Sequence, residues 1–85
     1  MLNGKVRIIA GPPGIAARYA KTCGWSEDEF VIITRGHTLA QFDPALISSI
    51  TTVQLDKLGP RVVNGITDEI NRVKALWPAV EMTAA

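Results

Sequence analysis

Phe30-Val31-Ile32-Ile33-Thr34 constrains the fold of this chain more than any other stretch. Aromatic and β-branched side chains in succession lose rotamer freedom in a helix and pack well on a pleated surface. The run carries no charge and does not alternate, so it reads as a strand buried on both faces, at the centre of a sheet. Arg35-Gly36-His37 ends it. A chain built around this pentapeptide folds as a sheet with helices packed on it and not as a trio of helices.

The flanking residues supply the other elements. Lys5 to Ala10 is an apolar, β-branched run closed by Gly11 and two prolines, a second strand. Ile15 to Cys23 has helical spacing, with Ile15, Ala16, Tyr19, Ala20 and Cys23 on one face and Arg18, Lys21 and Thr22 on the other. Gly24 suits the positive-φ position that ends a helix. Ser26 and Glu29 have capping-box spacing, and Trp25 and Phe30 staple spacing, which predicts a turn of helix from Glu27. Asp43-Pro44 predicts a short helix over Ala45 to Ile50, with Leu46-Ile47 and Ile50 open to joining a strand instead.

Thr51 to Leu55 alternates as a strand does. Gly59-Pro60 turns the chain, Arg61-Val62-Val63 reads as a short edge strand, and Asn64-Gly65 as a turn. Thr67 caps a last helix that ends at Trp77, with Asp68 and Glu69 at its positive end and Pro78 as its stop. Ala79 to Ala85 is expected to fray. The expected fold is a single α/β or α+β domain over residues 1–78, with three or four strands, helices over 15–23 and 67–77 and a short third over 44–50.

Composition closes off several functions. With 85 residues, 47% of them hydrophobic and 20% charged, the chain suits one small folded domain. A net charge of +1 gives no strong field for nucleic acid or an anionic membrane. Cys23 is the only cysteine and His37 the only histidine, so neither a disulfide nor an ordinary zinc site is expected within the chain. The longest apolar runs are about five residues, far short of the roughly 20 that span a bilayer. Met1 to Lys5 does not have the layout of a secretory leader, and the expected location is cytoplasmic.

Three segments resemble known families. Val6 to Gly14, a strand running into Gly11-Pro12-Pro13-Gly14, resembles the strand and loop of P-loop NTPases. Ile15-Ala16-Ala17-Arg18 stands where that family has its second glycine, its lysine and its hydroxyl. The lysine reaches the outer phosphates and the hydroxyl holds Mg²⁺, so the resemblance implies at most an anion or nucleotide site without hydrolysis, on Gly11, Gly14 and Arg18. Residues 19–50 resemble the helix-turn-helix of phage-repressor-like regulators. Ala20 and Gly24 have its spacing, Tyr19, Cys23, Trp25, Phe30 and Ile33 fill its apolar positions, and Ser26 would start its recognition helix. Glu27, Asp28 and Glu29 would then face phosphates and repel them. Residues 45–76 are similar to the C-terminal part of MazF-type endoribonuclease toxins, through Ile50-Thr51-Thr52-Val53, Lys57-Leu58-Gly59 and the Thr67-capped helix. No catalytic residue carries over from that resemblance.

Among single residues, His37 lacks an orienting partner and a nucleophile, and Cys23 reads as a small core hydrophobe. Trp25 and Trp77 are the side chains best able to anchor a partner, and Arg18, Lys21, Arg35 and His37 form a basic patch if the first helix and second strand end on one rim. No catalytic, metal or cofactor constellation is complete. The sequence therefore points to a small non-enzymatic accessory protein, of a kind phages and mobile elements carry. It would bind a protein partner or self-associate through Trp25, Arg35 and His37. A helix-turn-helix regulator and an anion-binding module stand as alternatives.

Overall fold

The computed structural model describes residues 6–85. The elements run β1 (Val6–Ala10), α1 (Pro13–Thr22), β2 (Phe30–Ile33), α2 (Gly36–Ala40), a 3₁₀ turn (Pro44–Leu46), β3 (Ile47–Thr52), a second 3₁₀ turn (Leu55–Leu58), α3 (Pro60–Leu76) and β4 (Glu81–Ala84). The strands form one sheet in the order β2-β1-β3-β4, and each pairs in parallel with its neighbour. The expected α/β class holds.

Strand order decides where the helices lie. The chain steps from β1 to β2 in one direction, then returns past β1 to β3 and on to β4. Crossovers of one hand therefore put α1 on one face and α2 and α3 on the other. The core divides accordingly. Ile8, Ala10, Ile33, Leu39, Ile50, Ile66 and Val73 are buried between the sheet and the α2–α3 layer. Ile9, Ala16, Ala20 and Val53 are buried under α1, with Ile15, Tyr19, Trp25, Phe30 and Ile32 around them.

Phe30–Ile33 is a strand, as its composition demands, but β2 is an edge strand and not the central one. Phe30 and Ile32 pack toward α1 while Ile33 and Val31 pack toward α2 and α3. An edge strand covered by helices on both faces reads in sequence like an inner one.

Four other expectations are corrected. The short helix over 44–50 is a 3₁₀ turn at Pro44–Leu46 followed by β3. Asp43 does cap it: its carboxylate accepts from the Ala45 amide at 3.0 Å. The register of β1 against β3 slips between Val6 and Arg7, so that Ile47 pairs with Val6 while Ser49, not Ser48, pairs with Arg7. Such a bulge places Ile47 and Ile50, three residues apart, in the same core, and that spacing imitates a helix. Arg61-Val62-Val63 and Asn64-Gly65 are not an edge strand and a turn. They are the first part of α3, which starts at Pro60 and runs 17 residues. Pro60 at the first helical position sets φ, and Val62, Ile66, Ile70 and Val73 then share a face that packs on the sheet, which outweighs the poor helix propensity of Asn64 and Gly65. The strand expected over Thr51 to Leu55 ends at Thr52, and Leu55 opens the second 3₁₀ turn, while residues 36–40 make the short helix α2, pinned by buried Leu39. Residues 81–84, expected to fray, form β4 beside β3. Lys5, expected to open the first strand, lies outside the described residues.

Helix α1 ends as expected. The Trp25 amide donates to the Ala20 carbonyl and the Gly24 amide to that of Lys21, both at 3.0 Å, with Gly24 at φ 76°. This pair of bonds is the Schellman closure that only a residue tolerant of positive φ permits.

Candidate functional site

In a parallel sheet the two strand ends are chemically distinct. Ligands of such folds gather outside the carboxyl ends, where the strand order reverses. That reversal falls here between β1 and β3, and the turn Gly11-Pro12-Pro13-Gly14 sits on it. The turn is closely packed. A Cβ on Gly11 would drive into the carbonyl oxygen of Val53, and the Val53 amide donates to the Ala10 carbonyl at 2.9 Å. Gly11 is buried and its amide donates to the Ile33 carbonyl at 3.2 Å; Pro12 and Pro13 have no amide hydrogen. Gly11 is thus consumed in joining three strands, which leaves Gly14 and Arg18, both exposed, as the outward groups of that turn and helix.

The carboxyl end opens instead beside it, between α2 and α3. There a groove of about 510 Å³ is lined by Arg35, His37, Arg61, Gly65, Asp68 and Glu69, among others. The two helices touch backbone to backbone: a Cβ on Gly36 would lie 2.5 Å from the Gly65 carbonyl oxygen. This approach brings Arg35 and His37, at the start of α2, against the α3 stripe of Arg61, Gly65 and Asp68, spaced four and then three residues apart. Glu69 is held by Arg72, with Nε to Oε1 at 2.8 Å. Among the described residues no ion pair engages Arg35, Arg61 or Asp68.

The amino end of the sheet is different. Leu46, Leu76 and Trp77, the exposed large hydrophobic side chains, are 44%, 52% and 44% exposed. Leu46 precedes the first residue of β3, and Leu76 and Trp77 end α3, so all three collect at that end. Trp77 also lines a pocket of about 130 Å³ with Ile47, Ser48, Ala79 and Val80.

Trp25 also lies at the amino end, on the α1 side, but it is half-buried. The Arg7 guanidinium stands 4.8 Å from its ring centroid, and Tyr19 meets it edge-on at 5.8 Å. Beside it, the Glu29 carboxylate accepts from the Ser26 amide at 2.7 Å and its hydroxyl at 2.8 Å. Those bonds, the amide's first, hold the Glu29 carboxyl below its usual range. Only half of the expected capping box forms: the Glu29 side chain reaches back to the Ser26 amide, while the Glu29 amide donates to the Ser26 carbonyl at 2.9 Å, and the bonds close a single turn before β2 and not the start of a helix. A hydrogen bond with the Cys23 side chain pushes the Tyr19 phenol up.

Sequence-predicted groups are thus redistributed. Arg35 and His37 come together, joined by a second guanidinium, that of Arg61, which sequence reading had placed in an edge strand. Lys21 lies at the other end of β2, in a cleft with Trp25, Glu27 and Phe30, so the patch of Arg18, Lys21, Arg35 and His37 does not assemble. A helix-turn-helix over residues 19–50 would need a helix from Ser26; the chain instead makes a turn and then β2. Residues 45–76 run through the end of the first 3₁₀ turn, β3, the second 3₁₀ turn and α3. The signal for Arg61 and Asp68 was their spacing along one helix face, visible once the helix starts at Pro60.

No protein-family model matches this chain, and neither a curated protein nor a solved structure matches it.

Proposed function

We propose that this chain is a small non-enzymatic interaction domain that docks a protein partner, a second copy of itself first among them, through the amino end of its sheet. One observation carries the reading: the exposed large apolar side chains of the described residues gather at that end, with a tryptophan among them. Scattered exposed apolar residues are ordinary, whereas clustered ones mark contact surfaces, and tryptophan is enriched at the positions that dominate binding energy. The degenerate loop at Gly11–Arg18 lends no support to phosphoryl chemistry, because the lysine and hydroxyl that such chemistry uses are replaced by Ala17 and Arg18.

Sedimentation velocity over a wide concentration range tests the reading directly. The expected result is reversible self-association that Trp77→Ser weakens strongly while Trp25→Phe leaves it intact. A monomer at every concentration, together with no Trp77-dependent capture of a protein from the host extract, would refute it.

A further inference from the structure

The groove at the opposite end of the sheet has a chemistry of its own. Arg35 and Arg61 bring two guanidiniums to it, and His37 adds an imidazole. Glu69 is already neutralised by Arg72, so Asp68 is the one carboxylate of the lining without a cation among the described residues. The free charges are two positive and one negative. They are also ordered in space: Arg61 and Asp68 lie seven residues apart on α3, about 10 Å along its axis. A guanidinium grips a phosphate through two parallel hydrogen bonds, a geometry that lysine lacks.

Gly65 supplies an independent sign. It sits in the interior of α3, where glycine is a poor helix former. Gly36 cannot carry a side chain there, because Gly65's own backbone blocks it. Gly65 itself has nothing within 4 Å of where its Cβ would stand. Packing does not require a glycine at position 65; the open space it leaves is the floor of the groove. A methyl group there would fill that floor.

We propose that the α2–α3 groove binds a small phosphorylated amine, a phosphate monoester dianion that also carries a protonated amino group. Arg35 and Arg61 hold the phosphate, His37 donates to it, and Asp68 receives the ammonium. Charge complementarity favours this ligand over a bare anion, because two guanidiniums and one carboxylate match one dianion and one cation. The volume of about 510 Å³ suits a small molecule. The proposal is independent of partner docking at the amino end.

The test is a titration of the isotope-labelled chain, in low-salt buffer, followed by amide chemical shifts. The probes are phosphoethanolamine, inorganic phosphate, ethanolamine and glycerophosphoethanolamine. Shifts are expected at residues 35–37 and 61–68, with phosphoethanolamine binding roughly tenfold tighter than phosphate, ethanolamine or the diester. Arg61→Ala and Arg35→Ala each weaken it by about tenfold, and Arg61→Lys by less, since charge remains and the fork is lost. Asp68→Asn abolishes the preference over inorganic phosphate. Gly65→Ala weakens binding while raising the melting temperature, an outcome that damage to the fold cannot produce. Silence at residues 35–37 and 61–68, shifts confined to residues 14–18, binding unchanged in the arginine variants, or a preference that survives Asp68→Asn would each overturn the proposal.

Discussion

The two ends of the sheet are built on opposite principles. At the carboxyl end, backbone meets backbone: Gly11 lies against Val53 and Gly36 against Gly65, with no side chain between. The exposed groups there are charged. At the amino end no such contact occurs among the described glycines, and on the α3 side Leu46, Leu76 and Trp77 face outward. A rigid frame carrying unpaired charges suits selective recognition of a small polar ligand, because little ordering entropy remains to be lost on binding. An apolar surface with a tryptophan suits a larger partner, whose own apolar atoms it would remove from water. On the two proposals made above, the interaction chemistry of this domain would be partitioned by strand direction.

The sharpest way to break that contrast is Gly36→Ala. The added methyl carbon would lie 2.5 Å from the Gly65 carbonyl oxygen, and a backbone atom cannot swing aside as a flexible side chain can. A cost of about 3 kcal/mol is expected, a large share of the roughly 5 to 10 kcal/mol that holds a domain of this size together. Thermal unfolding followed by circular dichroism should show the midpoint lowered by roughly 15 °C. An unchanged midpoint would mean that α2 and α3 are not in backbone contact, and the rigid end would no longer be rigid.

Next in size is Trp77→Ser at the other end. The ring is already 44% exposed, so the fold should lose little, with the unfolding midpoint falling by less than about 5 °C. Association should weaken by about thirtyfold, the equivalent of about 2 kcal/mol from one dominant contact. If stability collapses while association persists, Trp77 belongs to the core, and the apolar end is a packing detail. Gly65→Ala, at about 1 kcal/mol, works in the opposite direction from Gly36→Ala although the two glycines touch. Its Cβ meets open space, and alanine is the better helix former. A midpoint raised by about 5 °C is the expected reading. A lowered midpoint would mean that the groove floor is already occupied.

Much of the frame was legible in the sequence, and the exceptions have physical causes. Phe30–Ile33, the loop at Gly11 to Gly14 and the closure at Gly24 follow from local propensity, which the tertiary structure endorses. Three features depended on contacts distant in sequence. The bulge opposite Arg7 put Ile47 and Ile50 in one core at a helical spacing, so β3 read partly as a helix. The Asn64-Gly65 turn signal was overridden because Val62 and Ile66 bury against the sheet only if α3 runs through it. Residues 81–84 carry little strand propensity and become β4 by pairing with β3. The candidate groove was half visible. Arg35 and His37 stood out as a pair, while Arg61 and Asp68 joined them only through the helix that sequence reading began seven residues too late, at Thr67 instead of Pro60.

The smallest effect sharpens a contrast within the amino end itself, between its two tryptophans. Trp77 is bare, whereas Trp25 is framed by Tyr19, Arg7 and the turn that Glu29 closes. Glu29 accepts from the Ser26 amide and hydroxyl and faces Arg7 at 3.9 Å, and these interactions favour its ionised form. Its folded pKa is therefore below its unfolded one, near 4.3. The ionised carboxylate stabilises the fold above that unfolded value, and the contribution is lost as pH falls through the lower folded one. In Glu29→Gln the amide oxygen still accepts from Ser26 but the carboxylate at position 29 is gone, while Asp28, which accepts from the Ser26 hydroxyl at 2.7 Å, is common to both proteins. Urea midpoints should thus differ between the two proteins at neutral pH and converge in acid, with the change falling below about pH 4.5. A difference that stays constant from neutral pH into acid would show that the charge of Glu29 does not frame Trp25, and that packing alone separates the covered tryptophan from the bare one.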